Sequence, residues 1–385
     1  MAATLDTTPA DDGFAMPGEF EPHSGCWMLW PERPDNWRLS ARPVQQAFAS
    51  VATAIATSEP VSVGVSRRQY ANARAMLPAA IRVVELASND AWMRDVGPTF
   101  VRNAAGVIRG VHWQFNAWGG LQGGLYFPWD RDCDVAQKVL EIENRERYRA
   151  PFIMEGGALH TDGQGTVITT EECLLHANRN PGLDQGALEI LMHEYLGAST
   201  IVWLGKGVPN DETDGHIDEL MTFVKPGVVL LTWTDSKRDP LYAVCRDAYD
   251  RLSQSRDARS RRFTIHKLPQ PAPVLITKQE AAGIDASAGT FPRRAGDRMP
   301  GSYANLYIGN SVVVMPLLDR RYDRKVAVQL AKLFPRRRIV GVQAREILLG
   351  GGGIHCITQQ VPAALTAKAG RIGAARATSD ASPSR

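Results

Sequence analysis

Paired cysteines, membrane-length apolar runs and interior linkers are all missing from this chain of 385 residues. Its five cysteines (Cys26, Cys133, Cys173, Cys245, Cys356) are scattered, odd in number and never arranged as CxxC, which argues against a disulfide framework or a zinc ribbon. No apolar run nears the roughly 18 to 20 residues of a membrane span, and the N-terminus lacks a charged stretch followed by an apolar core. A soluble, cytoplasmic protein without a membrane partner is therefore expected. Formal net charge is only +3. The basic excess gathers at Arg256 to Arg262, Arg293 to Arg298, Arg336 to Arg338 and the C-terminal tail, without interleaved aromatics. That pattern fits solvated faces better than a nucleic-acid groove.

Both ends also lack apolar periodicity. Residues 1–15 and 366–385 are rich in Ala, Thr, Ser, Asp and Arg and are expected to be disordered tails. Nothing divides residues 16–365, so one large α/β catalytic domain is expected there.

What is present is regular. Amphipathic spacing predicts helices over 43–57, 69–77, 132–147, 184–196, 240–254 and 323–334. Between them the strands come as hairpins: 99–102 with 107–113, 158–161 with 166–170, 220–224 with 228–233, and 304–308 with 312–317, each around a glycine-containing turn. Asp95 opens the first hairpin, Glu155 the second, His216 with Asp218 the third, and Ser302-Tyr303 the fourth; a helix then leads to Cys356. A recurring hairpin-plus-helix unit implies a radial arrangement in which equivalent strand ends meet at an axis. Those residues would then converge.

Cys356 follows four glycines, Gly350 to Gly353, and precedes Ile357-Thr358. An Ile/Thr-type strand delivered by backbone without Cβ atoms, with Gly352 among them, would let a substrate approach a nucleophile closely. Alone, Cys356 reads as a buried strand cysteine, His216 as a surface histidine or metal ligand, and Asp95 as a salt-bridge partner. Together they suit a guanidinium, a planar permanent cation that carboxylates grip through parallel N–H···O pairs. Asp95 and Asp218 would clamp it from two sides, with Glu155 holding His216 or a remaining N–H. A Cys356 thiolate would attack the central carbon, and His216 would serve first as acid and then as base. No metal or cofactor is required. Around the site, Trp92 offers an aromatic face for a methylene chain or ammonium, while Asp90, Asp211 and Glu212 are candidate carboxylates for a distal amine. His355, next to Cys356 along a strand, should point to the opposite face and stand behind the site.

Several ordered stretches resemble one family. They are Met16-Pro17-Gly18-Glu19-Phe20-Glu21-Pro22-His23, Trp92-Met93-Arg94-Asp95-Val96-Gly97-Pro98-Thr99, Phe115-Asn116-Ala117-Trp118-Gly119-Gly120, Glu155-Gly156-Gly157, Thr213-Asp214-Gly215-His216-Ile217-Asp218 and Gly351 to Gln360. Spread over residues 16 to 362, they are similar to the agmatine deiminase family, in the bacterial-type peptidylarginine deiminase group of the guanidine-modifying superfamily. The resemblance implies a five-bladed α/β propeller, the pentein fold, with pseudo-fivefold ββαβ units. It implies hydrolysis of agmatine to N-carbamoylputrescine and ammonia in putrescine synthesis, with Cys356 as nucleophile, His216 as acid/base, Asp95 and Asp218 as clamp and Glu155 beside the histidine. It also implies a homo-oligomer. One position departs: Gly353 stands where the signature leads to Asn, which is without effect if that Asn serves a left-handed turn. Deimination of free or peptidyl arginine, or amidino transfer, would use the same core. A metal hydrolase built on His216, Asp214 and Asp218, or a non-catalytic arginine or polyamine binder, are the readings from other classes.

Overall fold

The computed structural model describes residues 3–364. Its strands fall into five sheets, each built on the same three-strand core, in which the first strand runs antiparallel to the second and the second parallel to the third. Parallel neighbours need a long crossover, and in every sheet a helix supplies it. One blade pairs Thr99–Asn103, Ile108–Gln114 and Arg147–Ile153, with helix Asp132–Ile142 as the crossover. The next uses His160–Thr161, Thr166–Thr170 and Thr200–Leu204 with helix Gln185–Leu196. A third uses Met221–Lys225, Val228–Trp233 and Thr264–Pro269 with helix Leu241–Gln254. A fourth uses Tyr307–Ile308, Val312–Leu317 and Arg338–Gln343 with helix Asp323–Leu333.

The fifth blade is assembled from both ends of the described chain. Gln359–Pro362 pairs antiparallel with His23–Leu29, which lies parallel to Val61–Val65 across helix Arg42–Ala56. That helix shows why the crossovers hold. Val44, Phe48, Val51 and Ile55 recur on one face and are buried against the sheet, each contributing on the order of 1.5–3 kcal/mol. The expected pentein fold is thus the observed one, with pseudo-fivefold ββαβ units.

Two expectations are corrected here. Residues 3–15 are ordered: Thr4–Leu5 pairs with Arg147 and Tyr148, and Phe14–Ala15 with Arg102 and Asn103. Phe14 packs on Tyr148 with the Arg109 guanidinium 4.5 Å above its ring, and Asp12 accepts from Tyr148 at 2.8 Å and pairs with Arg109 at 2.7 Å. The expected tail 366–385 lies outside the described residues. The helix expected over 132–147 ends at Ile142, and Arg147 already belongs to a strand. Among the described residues no helix is long and apolar enough to cross a membrane.

Candidate active site

In each blade the first strand begins at the axis, and the segment just before it carries a polar side chain. Asp95 sits in the helical turn Met93–Val96 ahead of Thr99–Asn103, and Glu155 caps the turn Gly156–Ala158 ahead of His160–Thr161. His216 and Asp218 start the turn Ile217–Leu220 ahead of Met221–Lys225. Asn305 precedes Tyr307–Ile308, and Cys356 precedes Gln359–Pro362. Cys356 lies in a tight turn and not on the strand as expected.

Asp95, His216 and Asp218 meet around Gly157. A Cβ there would lie 2.5 Å from His216 Nδ1, 2.9 Å from Asp95 Oδ1 and 3.2 Å from Asp218 Oδ2, so only glycine allows that approach. Asp95 accepts from Gly157 N–H at 2.8 Å and from the Trp118 indole at 3.0 Å. His216 stands 3.9 Å from Asp95 and 3.7 Å from Glu155. Glu155 is held through its other oxygen by buried Arg179 at 2.7 Å. Its free oxygen, His216 Nε2 and Asp218 Oδ1 have no protein partner, which leaves three buried polar atoms for a ligand to satisfy. Glu155, Cys173 and His216 also present an oxygen, a sulfur and a nitrogen within 4.8 Å of one another, but Arg179 already supplies a cation to that carboxylate.

The nucleophile candidate has its own setting. Asn305 Nδ2 donates to Cys356 Sγ at 3.2 Å and Gly353 N–H at 3.4 Å, while the thiol faces Asp218 Oδ2 at 3.5 Å. Burial, with Asp218, Glu219 and Asp95 close by, pushes the thiol well above its ordinary value. Asp95 is raised to about 6 by burial and by the carboxylates of Asp218 and Glu155, against the pull of His216. Burial alone would lower His216, but Asp95 above all, with Cys173 and Glu155, raises it well above the usual imidazole range. The site therefore gathers an imidazole drawn toward its charged form and several carboxyl groups that repel one another.

The other candidates divide. Trp92, Asp90 and Gly352 line a narrow cavity of ≈ 20 Å³ together with Cys356, Asp95 and Trp118. Asp90 faces it, yet its oxygens already accept from the Trp37 and Trp92 indoles, Asn36 and Ala91 N–H at 2.8–3.1 Å. Four acceptances fill a carboxylate, so Asp90 holds Trp92 in place. Asp211 does not line the cavity; it accepts from Thr213 and from His216 N–H at 2.8 Å and fixes the loop that presents the histidine. Glu212 pairs with Arg293, which lines the cavity.

Gly353 is not in the left-handed region; Gly351 is, at φ 108°. What restricts Gly353 is Asn305, whose Oδ1 a Cβ would overlap. Asn305, Glu19 and Arg179 escaped the reading of the sequence. Asn305 could have been found as the polar residue heading the fourth hairpin, and Glu19 within its motif. Arg179 carried no such signal.

A propeller of five ββαβ blades with cysteine, histidine and carboxylates at its axis is the pentein architecture arranged for chemistry on a cation. Residues 15–362 match the Porphyromonas-type peptidyl-arginine deiminase family, and the chain belongs to that family. The agmatine deiminase of Pseudomonas fluorescens is 53% identical over 363 residues, spanning 94% of this chain and 99% of that protein. The agmatine deiminase of Pseudomonas aeruginosa is 54% identical over 359 residues, spanning 93% and 98%. The solved agmatine deiminase of Enterococcus faecalis superposes with a TM-score of 0.91 at 48% identity, covering 94% of this chain and all of that one.

Proposed function

We propose that this protein hydrolyses agmatine to N-carbamoylputrescine and ammonia, as a cytoplasmic step toward putrescine. The convergence of Asp95, His216 and Asp218 about Gly157, in front of Cys356, carries this reading. A guanidinium there replaces the missing partners of Asp218 Oδ1 and Glu155 Oε2 and separates carboxylates that otherwise repel. As the cation arrives, the Cys356 thiol gives up its proton to solvent and the thiolate adds to the guanidinium carbon. His216, an imidazolium, delivers a proton to the departing nitrogen, which leaves as ammonia, and an S-alkylthiouronium remains. Neutral His216 then takes a proton from water; the resulting hydroxide adds to the same carbon, the C–S bond breaks, the added hydroxyl passes its proton to the departing sulfur, and the thiol and the neutral ureido product are released.

Agmatine is favoured over arginine by the state of the cations around the cavity. Arg293 is paired with Glu212, and Arg33 with Asp35 beside Asp90, so neither is spare for an α-carboxylate. Trp92 and Trp118 wall the same space, which suits an alkylamine chain. Ammonia release from agmatine and not from arginine is the expected result; absence of ammonia from agmatine would overturn the assignment. Mass spectrometry of His216→Ala supplied with agmatine should find the adduct on Cys356, and on no other residue.

A further inference from the structure

The Met16-to-His23 stretch has no part in the chemistry above, yet Glu19 reaches the back of the site. Its Oε1 accepts from Ile308 N–H at 2.9 Å, and its Oε2 lies 2.8 Å from His355 Nε2. The other ring nitrogen, Nδ1, lies 2.8 Å from Asp218 Oδ2. A carboxylate oxygen only accepts when ionised, so two carboxylates on one imidazole require both nitrogens to carry hydrogen. His355 is thus an imidazolium held between Glu19 and Asp218, and all three side chains are buried.

The surroundings agree. His160 stacks on His355 at 5.0 Å and is itself pushed down to about 3, first by burial and then by His355, so the neutral ring lies against the charged one. Arg94 donates to the His355 carbonyl at 3.3 Å and stands 3.9 Å from Glu19, and Cys356 is the next residue. Burial and Arg94 would lower His355, but Glu19 and Asp218 raise it, while Glu19 is held well below the carboxylate range despite burial, chiefly by His355. With Oδ2 occupied by His355, Asp218 keeps Oδ1 unpartnered.

We infer that Glu19 is a positioning residue that acts through His355: it keeps that ring charged, so that Asp218 presents one free oxygen to the substrate while its charge is offset beside the Cys356 sulfur. The inference rests on the deiminase reading for its kinetic arm only. Without Glu19 the ring loses its proton at a lower pH, and the Asp218 charge, 3.5 Å from Sγ, then opposes the thiolate unscreened. Each unit by which the thiol rises costs about tenfold in thiolate.

The test compares wild type, Glu19→Gln and His355→Asn from pH 5.5 to 8.5. Glu19→Gln should lose on the order of tenfold in kcat at pH 8 with agmatine KM unchanged or lower, and the deficit should shrink as acid restores the imidazolium. His355→Asn keeps a donor for Asp218 but cannot be charged, so its deficit should persist at every pH. Alkylation of Cys356 by iodoacetamide should slow in parallel, and this readout needs no substrate. It decides the relay even if wild type released no ammonia from agmatine, and even if Glu19→Gln failed to fold, since His355→Asn is read alone. Wild-type kcat and alkylation in both variants, or a loss flat with pH in Glu19→Gln accompanied by a raised KM, would overturn the inference.

Discussion

Asn305 bridges the nucleophile and its own loop: Nδ2 donates to Cys356 Sγ at 3.2 Å, and Oδ1 accepts from His355 N–H at 2.7 Å. A single amide thus supplies one of the two N–H groups on the sulfur and holds the turn that carries it. Hydrogen bonds to charged groups are worth about 1.5–3 kcal/mol, so Asn305→Ala should lower kcat by about 10- to 100-fold. Gly353→Ala should approach the same loss by displacing that amide. Because both act through one contact, the double variant should be little worse than either, and a non-additive cycle in steady-state ammonia release is the check.

Gly157 predicts a loss of function without loss of any functional group. A methyl there crowds His216, Asp95 and Asp218 at once, and an ångström of misplacement can cost about 100-fold. Gly157→Ala should lose at least about that factor in kcat/KM, while circular dichroism and thermal unfolding report an intact fold.

Asp95 sets an acid limb. Its folded value of about 6 means that kcat/KM should fall as pH drops through that value, since a protonated carboxyl cannot clamp a cation. Stability should move oppositely. Between the unfolded value of 3.8 and about 6 the folded state binds the extra proton, so this group lowers stability as pH rises across that window. The full cost, up to about 3 kcal/mol, is present at pH 7. Asp95→Asn should therefore be inactive yet more stable than wild type at pH 7, with no gain near pH 3. Denaturant titration at the two pH values measures it.

Arg293 predicts a gate. Thr290, Phe291 and Arg293 line a cavity of ≈ 20 Å³, room for about one water, so binding of agmatine is expected to need movement of side chains that line it. Arg293 anchors its segment through Glu212, Asn36 and the Gly350 carbonyl. Arg293→Ala should speed hydrogen exchange over residues 286–299 by at least about tenfold, the size of one lost buried pair or less, and should raise agmatine KM more than it changes kcat.

The helices were legible because apolar residues such as Val326 and Leu330 recur at helical spacing, and the hairpins because glycine turns separate them. Third strands such as Val61–Val65 and Thr200–Leu204 were not named; short runs beside a parallel partner carry no reliable alternation to mark them. The fifth blade was hidden because its hydrogen bonds join Cys26 to Gln360 across the described chain. Within the site, Asp95, Glu155 and His216 with Asp218 were expected at the heads of successive hairpins and Cys356 after the glycine run, and the fold brings the segments that carry them to one axis. The partners of Asp211 and Glu212 are not legible, because an acidic loop does not reveal which carboxylates its own N–H groups and arginines will consume. The family position at Gly353 suggested a left-handed turn, whereas the constraint there comes from Asn305, some fifty residues earlier.

The pairing of Gln359–Pro362 with His23–Leu29 makes ring closure and arming of the site a single event. Cys356 lies three residues before the closing strand, and Arg94 N–H, from another blade, ties down its carbonyl at 3.0 Å. A ring left open at this seam would have its acids and histidine assembled but no sulfur in register.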